Sequence, residues 1–600
     1  MMKKILKLML FSLIFSLSII LVGCSTTYDI GVVELEYYDN EDVLVGYNKN
    51  LYYRNDLDFA GADPTVIYIT EGEYEGYFMM YLAKSESVNV YKSKDMANWE
   101  VVSVCYTPSM NSWGLTDLWA PSCIYDEVED KYFLFYSATN SNQEDGYANT
   151  KYLGMAYSDS PAGPFIPYVG NNLDGLYMDE GTPVFDVEFI KDCPNSGKFY
   201  RKGTSMIDAF PFVDPQTGDR YLYLSRTRAA HTSNVIAGVK MKDWRTPDYD
   251  TYTELTKANY TTLEGTEATE RFEGYEAEVI NSGNAINEAP NMIYHNGTYY
   301  LTFSVMATTD PEYSVMQALG KTPLGPFEKV QESHGGCVVG VQTESLISVW
   351  DHVLCTGSHS FVYDGDELWV VYHQDKGRIS EGGTGVGDHS TRAICIDRVT
   401  FTENDLGQTI LHCNGPTTAI QPKITSSLEY KNIINLAEVT ANTKTYGSNE
   451  KAVEKDTTTL VDGILKMRTY DHVEEFSAEK FLTITIKFED YKKIKSLLVY
   501  NSSDYNLAFT QIARIDFSFR KELEGKPCVG TARINNVNYD FSSYSNVDMP
   551  NISKVYMRPG APMIFEFDEL EVNEIKIMIN CPKGQELFAL NEIIVLGKES

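Results

Sequence analysis

The stretch "NEAPNMIYHNGTYYLTFS", Asn287 to Ser304, decides the fold. Asn296-Gly297 is a dipeptide that accepts positive φ at both positions. It stands between two runs rich in Tyr, Ile, Phe and Leu, so the stretch reads as a β-hairpin. Its opening poses a problem. Glu288 puts a carboxylate at the mouth of an apolar strand, beside Ala289-Pro290. A buried charge is costly unless it is paired or used.

The same pattern recurs upstream and downstream. "ADPTVIYI" from Ala62, "WAPSCIYD" from Trp119, "DAFPFVDP" from Asp208, "EAPNMIYH" from Glu288 and "GSHSFVYD" from Gly357 each precede a turn and a second aromatic strand. A small sheet cannot bury both faces alone, and radial stacking buries them around a central channel. Five such units predict a five-bladed β-propeller. The first strand of each blade lines the axis, so residues far apart in sequence converge at its mouth. Asp63, Asp208 and Glu288 are then neighbours. Anchored on the shared Pro, Asp63 falls one position after Glu288.

The chain has 600 residues, too many for one core. It is 43% hydrophobic with 42 Tyr, ample for an all-β protein of two domains. Its net charge of −34 argues against nucleic acid, whose binding needs Lys and Arg on phosphates, and disfavours anionic substrates. Neutral ligands remain. The N-terminus reads as a secretory signal: Lys3, Lys4 and Lys7 precede an apolar run. Leu21-Val22-Gly23-Cys24 resembles a bacterial lipobox, which implies lipidation of Cys24 and a cell-surface lipoprotein held to the membrane by its anchor. Nine cysteines follow, and neither a CxxC pair nor zinc spacing occurs among them.

Paired carboxyl groups are the usual equipment of glycoside hydrolysis. The openings "ADPTVI", "LWAPSCIYDEVEDKYFLFYSA", "IDAFPFVDPQTGDRYLYLS" and "NEAPNMIYHNGTYYLTFS", with "VYKSKDMANWE", "GMAYSDSPAGPF" and "RAICIDRVTF", resemble glycoside hydrolase family 43 in the family's order. The resemblance implies an inverting mechanism. Asp63 would be the general base, Glu288 the general acid, and Asp208 the group that raises the acid's pKa and orients it. Base and acid would stand about 6.5–9.5 Å apart to admit water. Among the expected substrate-binding residues, Trp119, at an inner-strand opening, reads as a hydrophobic wall at the sugar site, Arg392 as reaching the substrate or a catalytic carboxylate, and His359 matches the family's channel-facing histidine of the last blade. In some members the histidine helps hold a hydrated calcium ion, so a structural Ca2+ in the channel is the one cofactor admitted; none is needed for the chemistry. The family usually has Gly-Pro after the acid, where Ala289-Pro290 stands here. Asp126, Asp214 and Asp364, at strand-to-turn junctions, read as structural, as do His231 and His373.

After Lys423 the composition shifts. "NLAEVTA", "LVDG", "TITIKF" and "NEIIVLG" alternate at period two and resemble a discoidin-like, galactose-binding-like β-sandwich. The expected organisation is therefore a signal at 1–24, a linker at 25–45, the propeller at 46–425 and the sandwich at 430–600. The expected function is hydrolysis of a neutral plant-type polysaccharide or oligosaccharide, with α-L-arabinofuranosidic or β-xylosidic bonds favoured. The segment 253–284 before the acid would wall an exo-acting pocket. The alternatives are a catalytically silent glycan-binding lipoprotein, which all three carboxylates argue against, and a retaining fructan hydrolase, whose "NDPNG" and "RDP" signatures are absent. Oligomeric state is not legible.

Overall fold

The computed structural model describes residues 28–34, 47–55, 59–110, 112–140, 151–168, 183–185, 205–228, 233–256, 286–308, 312–341, 353–375, 392–417, 419–444, 449–468, 471–504, 506–538 and 560–599. The signal, Cys24, Cys193, His231 and most of the 253–284 segment lie outside them.

Five antiparallel sheets follow in chain order, each running from its inner strand outward. The inner strands are Thr65–Tyr68, Gly114–Asp126, Met206–Val213, Asn287–His295 and Gly357–Asp364. Each packs against the next, and the fifth packs against the first, so the ring is closed as a five-bladed propeller. The opening hairpin is as expected: Asn296 and Gly297 have φ of 47° and 82°. Second strands such as Phe78–Ala83 and Lys131–Asn140 are buried almost continuously. Blades stack face to face, so these strands have two dry sides and their sequences do not alternate.

The ring is latched by the segment before blade 1. Ala60 bridges Ala393 in the third strand of blade 5, and Gly61 donates its N–H to the Arg392 carbonyl at 2.9 Å. Tyr52–Tyr53 then pairs with Gln421–Pro422. These pairings tie the two ends of the propeller together.

The C-terminal strands form one ten-stranded sheet folded into two layers. Two long strands, Phe481–Asn501 and Pro562–Asn580, run through both layers. Their ladder slips between Lys487 and Lys492, and again between Ile494 and Ser496, where bulges let a strand change layer. In the first half of Phe481–Asn501, Leu482, Ile484, Ile486 and Phe488 point into the sandwich core. In the second half Leu497 and Val499 continue that core, while Leu498 and Tyr500 face Leu51, Tyr52 and Ile420 of the propeller and Leu428 of the stretch that follows it. Burial of both faces explains why "SLLVYN" is apolar without alternation. The stretch expected as a linker supplies another strand: Tyr28–Glu34 pairs in parallel with the 528–533 edge of this sheet. The eight described cysteines are free thiols.

Candidate active site

The acids sit on a repeated backbone device. Asp63, Ala120, Asp208, Ala289 and Ser358 have φ of 51°, 43°, 57°, 50° and 44°, one left-handed residue at the opening of each inner strand. In blades 2 to 5 the ladder slips there, leaving a bulge. Left-handed backbone costs a non-glycine residue about 1–2 kcal/mol, and such strain gathers at functional sites. The bulge turns the side chain before it and the one on it toward the channel mouth. Alignment on this residue, rather than on proline, places Asp63 and Asp208 in one column and Glu288 one position earlier. Pro211 of blade 3 stands out of register with the other prolines, which is why proline anchoring hid the match.

A hydrogen bond from blade to blade fixes these openings. The Asp208 N–H donates to Ser137 Oγ at 3.1 Å, and the Ser358 N–H to Ser304 Oγ at 2.9 Å. Both serines end second strands of the preceding blades. At blade 4 the pattern changes: the Ala289 N–H donates to Asp208 Oδ2 at 3.0 Å. Asp208 thus holds the backbone immediately after Glu288. At blade 1 the serine's place is taken by His373, whose Nδ1 lies 3.4 Å from the Asp63 amide nitrogen and 3.5 Å from Asp63 Oδ1.

Glu288 is gripped at both oxygens. Tyr313 Oη donates to Oε1 at 2.9 Å and Asn234 Nδ2 to Oε2 at 3.3 Å. The two donors occupy equivalent places, at the starts of the third strands of blades 4 and 3. Burial raises the Glu288 carboxyl to about 7; Tyr313 opposes the rise, Asp63 adds to it, and Asn234 and Arg392 oppose it. Burial also drives Asp208 well above the ordinary carboxylate range, with the charges of Glu288 and Asp63 pushing the same way. Mutual influence of this kind places the three carboxyls in one electrostatic unit, which does not ionise fully at neutral pH. Arg392 Nη1 stands 3.5 Å from Asp63 Oδ1 and supplies the local positive charge.

The remaining expected residues are placed as follows. His359 is buried, with Nε2 2.7 Å from Thr302 Oγ1 and with Nδ1 unpartnered. Burial lowers it to about 3, so it is neutral. One imidazole nitrogen is a thin donor set for calcium. Among the described residues, no group of three or more His, Cys, Asp and Glu could hold a metal. Trp119 is 45% exposed and pairs in register with Ser137. The Lys151 ammonium lies 3.4 Å from its ring centroid, so one face of the expected hydrophobic wall carries a cation. Asp126 is structural as expected, accepting from Arg220 Nε and Trp244 Nε1, both at 2.6 Å. So are Asp214, which accepts from Tyr299 Oη at 2.8 Å, and Asp364, which accepts from the Ser426 N–H at 2.9 Å.

His373, read as structural, is buried in direct contact with Asp63. A signal existed: "LWVVYH" ends in His where "YFLFYS", "RYLYLS" and "YYLTFS" end in Ser. Tyr313 and Asn234 were missed, and no motif marks them.

The family model described as "Glycosyl hydrolases family 43" matches residues 57–406, more than half of the chain. A curated relative, the "Beta-D-galactofuranosidase xynD" of Aspergillus niger, is 32% identical over 123 residues, 19% of this chain and 29% of that protein. The chain thus spans less than a third of that relative's length. Two solved structures are also similar. A thermostable family-43 glycoside hydrolase is 25% identical, with 62% of this chain and 99% of that one covered at a TM-score of 0.41. An α-L-arabinofuranosidase from Lactobacillus brevis is 18% identical, with 60% and 95% covered at a TM-score of 0.40.

Proposed function

The chain belongs to glycosyl hydrolases family 43 and is a glycosidase acting on a polysaccharide or oligosaccharide; from that premise we propose that it cleaves α-L-arabinofuranosidic or β-xylosidic bonds with inversion, the arabinofuranosidic bond first. Glu288 protonates the leaving oxygen. Asp63 takes a proton from the water that attacks the anomeric carbon from the opposite side. Asp208 accepts the Ala289 N–H and so fixes the backbone behind the acid, while burial and the nearby Asp63 keep the acid protonated near neutrality. Arg392 orients Asp63. A proton moves from Glu288 to the leaving group and another from water to Asp63, so the pair must exchange protons with solvent before the next turnover.

The observation that carries this reading is the state of Glu288. A carboxyl held near 7 is matched to donating a proton at neutral pH. Its neighbour Asp63 is partly exposed and stands beside Arg392, where it can meet the attacking water. The preference for a furanoside rests on the curated relative, which is described as acting on galactofuranose, a five-membered ring as L-arabinofuranose is. A panel of aryl α-L-arabinofuranosides, β-xylosides and β-galactofuranosides tests it, with proton NMR of the first-formed sugar. The expected result is cleavage of the arabinofuranoside with inverted anomeric configuration. A retained configuration overturns the mechanism, and cleavage of the galactofuranoside alone overturns the sugar assignment.

Export and anchoring at Cys24 belong to the same proposal and rest on the sequence. Cys24→Ala should release the protein from the membrane fraction, and continued retention refutes the anchor.

A further inference from the structure

Tyr313 touches the acid and His373 touches the base, and the two rings touch each other. Their planes lie 9° apart with centroids 5.9 Å apart. Tyr313 Oη donates to Glu288 Oε1 at 2.9 Å. His373 Nδ1 is within 3.5 Å of both the Asp63 amide nitrogen and Oδ1, so either tautomer of the neutral ring ties it to Asp63. His373 is fully buried. Gly357 makes the arrangement feasible. It pairs in register with His373, and a Cβ on it would meet Tyr313 Cε1 at 2.2 Å. The Gly of "GSHS" is the space in which the tyrosine ring lies.

We propose that Tyr313 and His373 form a single brace that sets the acid and the base at a fixed separation, with Gly357 as its seat. Both are positioning residues. The brace rests on the reading of Glu288 as acid and Asp63 as base. Its physical reason is that an inverting site needs two carboxyls at a separation that admits one water, and they come from blades 4 and 1, which are not adjacent in the ring. Blade 5 stands between them. His373 is contributed by blade 5, and Tyr313 by the third strand of blade 4. The stack therefore spans the gap that the backbone leaves.

The pH profile reads this directly. The groups facing Glu288 are the carboxyls of Asp63 and Asp208, the guanidinium of Arg392, and the donors Tyr313 and Asn234. His373 is neutral across the range used, because burial and Arg392 lower it to about 3. Replacing it removes no charge. The test uses the full chain as wild type, Tyr313→Phe, His373→Phe and His373→Leu, with an aryl glycoside that the wild type cleaves. Tyr313→Phe should lower kcat at least tenfold and move the alkaline limb of kcat/KM upward by half a pH unit or more, since a donor to the carboxylate is lost. His373→Phe keeps a flat ring against Tyr313, so it should lower kcat and leave that limb in place. His373→Leu fills the space without a flat ring, frees Tyr313, and should move the limb upward although residue 373 does not touch Glu288. Identical limbs in the two His373 variants, or an unmoved limb in Tyr313→Phe, overturn the brace. The same titration is read without substrate from the pH dependence of urea unfolding. If the wild type cleaves nothing on the panel, the substrate reading fails, and the unfolding profiles of the four proteins still decide the brace by the same pattern of shifts.

Discussion

At the residue scale, Glu288 explains why a charge opens an apolar strand. Two donors satisfy its oxygens, while burial and Asp63 hold a proton on it. Glu288→Gln keeps the shape and removes the acid, and should cost 10²- to 10⁴-fold in kcat, with the larger loss on poor leaving groups. A series of aryl glycosides of rising leaving-group pKa checks this, and a flat series would remove Glu288 from the acid role. The same group couples stability to pH. Its folded-state pKa of about 7 lies above the ordinary 4.5, so the folded protein binds the proton more tightly than the unfolded chain. Its contribution is fully present below pH 4.5 and is lost as pH rises through 7, a change of about 3 kcal/mol. Glu288→Gln should therefore be more stable than wild type at pH 8, with the difference shrinking at pH 4.5. Urea unfolding at the two pH values measures this.

At the element scale, the bulge at each inner strand aims the acids. Ala289 pays backbone strain at φ 50°, with its N–H committed to Asp208. Ala289→Gly should relieve it and raise stability by up to about 1 kcal/mol, partly offset by the freedom glycine gains in the unfolded chain. Thermal unfolding reads the change, and a clear loss of stability would show that the methyl group packs rather than strains. The Asn-Gly turn, the aromatic strands and the five strand openings made the blades legible. The closing latch through Ala60 and Ala393 was not, because a two-residue pairing between distant segments leaves no local pattern. His373 was legible only by comparison between blades, as a histidine where blades 2, 3 and 4 carry serine. Tyr313 and Asn234 reach Glu288 from strands whose own sequence carries no mark of it.

At the scale of the whole molecule, the propeller and the C-terminal sheet share a dry seam. Tyr52 Oη donates to Ser496 Oγ at 2.6 Å, and Tyr500 Oη to Gln421 Oε1 at 2.7 Å. Arg468 sits in this seam, buried, with Nη2 at 2.6 Å from Asp471 Oδ1 and at 3.0 Å from the Cys337 carbonyl of blade 4. Removing one partner of a buried pair leaves an uncompensated charge, so Arg468→Ala should destabilise by about 3–5 kcal/mol. Calorimetry should show one transition for wild type. Two transitions with the first unchanged by Arg468→Ala would mean that the units fold independently.

Sequence alone determined the strand content, the fivefold repeat and the three carboxylates, because turn chemistry and apolar periodicity are local and repetition makes them additive. Tertiary structure alone decided the depth of each acid, the donors around Glu288 and the seating of the C-terminal sheet. Those depend on which side chains meet across blades, and closure of the ring brings together residues whose separation along the chain holds no information about their distance in space.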